Sequence, residues 1–73
     1  MPTTTQTSCF DPDALVRARR AAGLSREKLA ADATVSFDQL RRYERGQAIP
    51  SFDAACRLAR VLGVELSYLA STL

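Results

Sequence analysis

Eight cationic side chains, Arg17, Arg19, Arg20, Arg26, Lys28, Arg41, Arg42 and Arg45, fall between positions 17 and 45, against four carboxylates, Glu27, Asp32, Asp38 and Glu44. The whole chain of 73 residues carries a formal net charge of only +2, so its positive charge is concentrated in the middle. Such a concentration suits a polyanionic partner. The plainer reading is a solvated charged face, which most charge-rich helices have.

Other chemistries find little material. There is no His, and Cys9 and Cys56 are too few and too far apart in sequence for a disulfide scaffold or a metal site. Neither cysteine has a visible activating partner, and no glycine-rich phosphate loop is present, so an enzyme is not expected and no cofactor is implied. No apolar stretch approaches the roughly 20 residues of a membrane span. The N-terminus lacks the basic and apolar regions of a signal peptide. The expectation is a soluble cytoplasmic protein with reduced thiols.

A chain this short holds one domain, burying only about 60% of the surface that its unfolded form exposes. Nearly half of it is apolar, but aromatics are few and Ala and Leu outnumber Val and Ile, which favours an all-α domain. Residues 1–9 have no apolar period and no charge, and read as a flexible tail ahead of a domain over 10–73.

The elements that position the cations follow from caps and periodicity. Asp11 and Pro12 start a first helix over residues 12–22, with Leu15, Ala18 and Ala22 inward, Phe10 stapled to Leu15, and Gly23 as a left-handed stop. Ser25 caps a second helix that buries Leu29, Ala30 and Ala33. After Thr34-Val35-Ser36, with Val35 plugging the core, a third helix over 37–45 buries Leu40 and Tyr43 and ends at Gly46. Ser51 caps a fourth helix with Phe52, Ala55, Leu58, Ala59 and Leu62 inward, and Cys56 beside them as a small hydrophobe. Gly63 ends it, and a short fifth helix from about Glu65 aligns Leu66, Leu69 and Leu73.

The series Gly23-Leu24-Ser25, Leu29-Ala30, Val35-Ser36, Tyr43-Glu44-Arg45-Gly46, Pro50-Ser51 and Leu62-Gly63-Val64 closely resembles the lambda-repressor-like (Cro/repressor, XRE) helix-turn-helix family. Any one fragment is weak, but the ordered series is specific and covers nearly the whole expected domain. The resemblance implies a compact five-helix domain whose second and third helices form the helix-turn-helix. Its recognition helix, about residues 36–45, then lies in the major groove of DNA.

Carried over position by position, the resemblance makes Phe37, Asp38 and Arg42 the base-reading residues. Arg42 suits a bidentate contact to guanine, Phe37 a thymine methyl and Asp38 the amino group of cytosine. Arg26, Lys28, Gln39, Arg41 and Arg45 are assigned to the DNA backbone, where contacts set register without reading sequence. Arg19 and Glu44 match positions that pair between the first and third helices, and form a structural ion pair. Two departures stand out. Thr34 occupies the place of the usual turn glycine, so either a β-branched residue adopts positive φ or the turn takes another geometry. Asp38 replaces a neutral residue, and either reads cytosine or pairs with a neighbouring arginine.

One recognition helix offers few base-reading side chains, so the expected function is sequence-specific binding of double-stranded DNA by a repressor-like transcriptional regulator, as a homodimer on a pseudo-palindromic operator. Leu66, Tyr68, Leu69 and Leu73 are the expected pairing surface, because apolar area on a short terminal helix needs covering. The alternatives are a protein-interaction module of the same fold, such as an antitoxin with a protein partner, or a DNA-binding appendage of a larger protein.

Overall fold

Each of the first four helices begins at a residue whose side chain accepts from its opening amides. The computed structural model describes residues 10–70. Among them lie α1 (Pro12–Ala21), α2 (Arg26–Ala33), α3 (Phe37–Glu44), α4 (Phe52–Leu62) and α5 (Leu66–Leu69). The Asp11 carboxylate accepts from the amides of Asp13 and Ala14 at 3.0 and 3.3 Å. The hydroxyls of Ser25, Ser36 and Ser51 accept from the amides of Lys28, Gln39 and Ala54 at 3.0–3.1 Å. Caps of this kind are worth about 1 kcal/mol each.

The ends are as regular as the starts. Leu24, Val35, Gln47 and Val64 each donate a backbone N–H to the carbonyl five residues back, at 3.1, 3.0, 2.8 and 3.1 Å. Each follows a residue in the left-handed region, Gly23, Thr34, Gly46 and Gly63. These are Schellman closures, which satisfy carbonyls left open at a helix end. In three of them the following residue, Leu24, Val35 or Val64, also packs against the core.

The core is small and made of leucine and alanine. Leu15, Leu29, Leu40 and Leu58 are fully buried, joined by Leu69 from α5, and the gaps between helices are filled by Ala14, Ala18, Ala30, Ala33 and Ala59. Burying each leucine contributes about 1.5–3 kcal/mol. Tyr43 is buried with its ring edge-on to Phe10, centroids 6.4 Å apart. Of the two residues expected to staple α1, Leu15 belongs to the core and Phe10 packs against it. The chain closes on itself where the amide of Asp11, at the start of α1, donates to the carbonyl of Leu69 at 2.7 Å.

The structure corrects several expectations. Ala22 is an exposed cap residue outside α1, not an inward-facing one. Arg45 caps α3 rather than lying within it. Phe52 is 75% exposed, and Ala54 takes the inner position assigned to it. With Ala54 included, the buried stripe of α4 centres about a quarter of a turn away from Phe52. The fifth helix is a single turn, without a side-chain cap at Glu65. The expected tail over 1–9 and Leu73 lie outside the described residues.

Candidate nucleic-acid interface

The second and third helices are joined by Thr34-Val35-Ser36. Thr34 adopts φ 60° and ψ 46°, the one non-glycine residue at positive φ among the described residues. Of the two geometries open to this turn, the chain therefore takes the strained one, at a cost of about 1–2 kcal/mol. Two features hold it there. Val35 packs into the core beneath the turn. From α4, Arg57 donates its Nε–H to the carbonyl of Ala33, the last residue of α2, at 2.8 Å, while its terminal group pairs with Asp53. No sequence motif pointed to Arg57, because its partner is a backbone atom 24 residues away.

From this turn α3 buries Leu40 and Tyr43 in the core. Phe37, at 42% exposure, is not a core aromatic. Asp38, Gln39 and Arg42 are exposed, and Arg41 is half-buried. Asp38 pairs with both neighbouring arginines, reaching Arg42 Nε at 3.2 Å and Arg41 Nη1 at 3.6 Å. Arg41 also lies 6.0 Å from the centre of the Phe37 ring, at the outer limit of a cation–π contact. Phe37, Asp38, Arg41 and Arg42 are thus one connected group on the outer surface of α3.

Behind it lies a buried charge cluster. Arg19 of α1 donates its Nε–H to Glu44 Oε2 at 2.7 Å and an Nη1–H to the carbonyl of Leu24 at 3.0 Å. Arg26 at the start of α2 donates to the other carboxylate oxygen, Oε1, at 2.8 Å. The expected pair between Arg19 and Glu44 is therefore present, and Arg26, assigned to the DNA backbone alone, is a third member. The Glu44 side chain is only 4% exposed, and the two guanidinium groups satisfy both of its oxygens. The cluster ties α1, α2 and α3 together and fixes how α3 sits on the domain.

The other basic residues are more scattered. Arg45 is exposed at the end of α3. Lys28 pairs with Asp32 on its own helix at 3.5 Å, with both side chains well exposed. A cleft of about 190 Å³ opens between α1, α2 and α3, lined by Val16, Arg20, Arg26, Arg41, Glu44 and Arg45. It adds Arg20, which the sequence reading had left unassigned, to the arginines around α3.

At the opposite end, the α5 surface is smaller than expected. Leu69 is completely buried in the core and offers nothing to a partner, which removes it from the expected pairing surface. Leu66 is half-buried and Tyr68 is 44% exposed. The guanidinium of Arg17 is held above its ordinary value, chiefly by a side-chain hydrogen bond with Tyr68 and less by the charges of Tyr68, Asp11 and Asp13. Among the described residues no group of three or more metal-ligating side chains occurs, and no helix is long and apolar enough to cross a membrane.

A helix-turn-helix family matches residues 15–69, from the first core leucine of α1 to the last of α5. No curated protein matches the sequence. Among solved structures, the chain is similar to the restriction-modification controller protein C.AhdI from Aeromonas hydrophila, at 33% identity over 80% of this chain and 88% of that one, with a TM-score of 0.76. It is also similar to a structure of a SinR protein/SinI protein complex, at 26% identity over 82% of this chain and 59% of that one, with a TM-score of 0.78. A transcriptional regulator from Listeria innocua, at 21% identity over 85% of this chain and 58% of that one, shares the fold with a TM-score of 0.74. The chain thus spans less than two thirds of the latter two. With five helices in this order, the turn between α2 and α3 and the buried Arg19–Glu44 pair, the chain belongs to the lambda-repressor-like (XRE) helix-turn-helix family.

Proposed function

We propose that this chain is the DNA-binding domain of a transcriptional regulator, that it reads double-stranded DNA by sequence with α3 in the major groove, and that it does so as a homodimer on a pseudo-palindromic operator. One observation carries the reading: the side chains assigned to bases, Phe37, Asp38 and Arg42, share the outer surface of a helix clamped from behind by Glu44. A fixed helix of this kind delivers donors to base edges with its backbone already ordered. Arg26, Lys28, Gln39, Arg41 and Arg45 contact the backbone, and Leu66 and Tyr68 supply the pairing surface. Paired domains of this type place half-sites about 34 Å apart.

Selection of binders from a random duplex library tests the reading, because it reports binding, half-site spacing and base preference together. Enrichment of a two-fold motif is the expected result, with affinity falling steeply as salt rises. No enrichment above input would remove the DNA-reading role. Sedimentation showing a monomer both free and on the selected duplex would remove the homodimer. Replacing Arg42 by Ala should relax base preference, whereas replacing Arg45 should weaken all duplexes alike.

A second reading, a module that also binds a protein, has one feature in its favour. Ile49 and Phe52, 62% and 75% exposed, flank the buried Pro50 on the connection to α4 and take no part in the α3 surface. Substituting both with Ser would then leave duplex binding intact while abolishing capture of the partner.

A further inference from the structure

The cleft between α1, α2 and α3 holds more cationic charge than the fold uses. Its one acidic lining residue, Glu44, is already neutralised, with one oxygen bonded to Arg19 and the other to Arg26 at 2.7 and 2.8 Å. Arg26 makes this bond through Nε, so its terminal nitrogens remain available. Among the described residues Arg20 and Arg45 have no ion-pair partner, and Arg41 has only the shared carboxylate of Asp38 at 3.6 Å. Four arginines, Arg20 of α1, Arg26 of α2, Arg41 of α3 and Arg45 at its cap, therefore line one concavity, with Val16 as its apolar wall. Like charges gathered in one concavity repel one another, and an anion seated among them relieves that repulsion.

The size of the cleft decides what kind of anion fits. Pockets for whole organic ligands run to roughly 300–1,000 Å³. At about 190 Å³ this one is too small for a nucleotide and suits a single tetrahedral anion. Guanidinium forks match phosphate oxygens in pairs, and two of the four are held before any ligand arrives: Arg26 by Glu44, and Arg41 by Asp38 and Phe37. Such holding lowers the ordering cost of binding.

We infer that this cleft is a phosphate-binding site in which Arg20 and Arg41 seat one phosphoryl group, beside the surface that reads bases. The group is either a phosphodiester of the DNA backbone, which brings α1 into the footprint and rests on the DNA-binding reading, or the phosphate of a free small molecule, which does not. Arg20 is the discriminating residue, since it is exposed, sits in the last turn of α1 and takes no part in the Glu44 cluster.

Two arms on the same variants test the site. In the first, backbone amide resonances of the intact chain are followed by NMR during titration with inorganic phosphate at constant ionic strength. Shifts confined to residues 16–20, 26 and 41–46 in the unsubstituted chain, and lost in Arg20→Glu, are the expected result. In the second, duplex affinity of Arg20→Ala is measured across salt concentrations. A uniform loss on all duplexes, with the slope of log K against log salt reduced by about one, assigns the site to the DNA backbone. A positive first arm with an unchanged slope assigns it to a free phosphate. No localised shift together with no change in slope overturns the site. If the unsubstituted chain binds no duplex, the regulator reading fails and the first arm alone decides the cleft. Arg20→Lys, which keeps the charge but loses the fork, and unchanged circular dichroism of every variant separate site loss from misfolding.

Discussion

Arg42 Nε lies 3.2 Å from Asp38 Oδ2, one helical turn back along the outer surface of α3. The contact engages one edge of the guanidinium and leaves its two terminal nitrogens without a partner among the described residues. Those two nitrogens are a fork of the kind that meets guanine O6 and N7. In solvent such a pair is worth only about 0.3–0.5 kcal/mol, so its value lies in aiming Arg42 rather than in stabilising the helix.

Asp38→Asn should therefore have two effects of opposite sense. Loss of a negative charge near phosphates tightens binding to every duplex, while the weaker, uncharged tether lowers discrimination at the base read by Arg42, by some part of the roughly 1–3 kcal/mol that such a contact supplies. Competition between the selected site and its single-base variants measures both. Full discrimination retained by Asp38→Asn would mean that Arg42 is aimed by something else.

Glu44→Ala should destabilise the domain by about 3–5 kcal/mol, because it strands Arg19, whose side chain is 10% exposed, without a counter-charge. Small domains have total stabilities of only about 5–15 kcal/mol, so this loss is severe. Arg26→Ala should cost less, about 1–3 kcal/mol, since the Arg26 side chain is itself 48% exposed but its loss leaves one oxygen of the buried Glu44 carboxylate without a donor. Urea unfolding of the two variants checks the ordering, and equal losses would contradict it.

Thr34→Gly should stabilise the domain. Removal of the side chain relieves the left-handed strain at φ 60°, and the added freedom of the unfolded chain offsets only part of the gain. A net gain of about 0.5–1 kcal/mol is expected, seen as a thermal midpoint a few degrees higher. A lower midpoint would show that the Thr34 side chain contributes more than its strain costs.

Arg57→Met keeps the apolar stem but loses the bond to the Ala33 carbonyl, a charged hydrogen bond worth about 1.5–3 kcal/mol. Faster hydrogen exchange at Val35 and Ser36 should accompany the loss, because the turn into α3 is then held from one side only. Arg60→Met, exposed on the same helix, should stay within about 0.5 kcal/mol of the unsubstituted chain and show no such change.

Much of this architecture was legible from local chemistry. Asp11, Ser25, Ser36 and Ser51 mark the helix starts they were expected to mark, because a cap bonds to amides two or three residues away and needs no tertiary partner. Leu29, Leu40 and Leu58 are buried as their helical spacing demanded. The lambda-repressor-like family was readable for the same reason, since its signature is a string of such turns and caps in order.

What tertiary structure decided depends on distances between elements. Whether Phe52 or Ala54 faces inward rests on where α2 lies against α4, and whether Leu69 pairs with another molecule or plugs its own core rests on where the chain returns to α1. The second partner of Glu44, the hold of Arg57 on the turn and the arginine cleft each join residues from different helices. Helical periodicity states which side of a helix a residue occupies but not what stands opposite it. Charge positions along the chain showed that the centre was basic; only packing decided which arginines are neutralised inside the domain and which remain available to an anion.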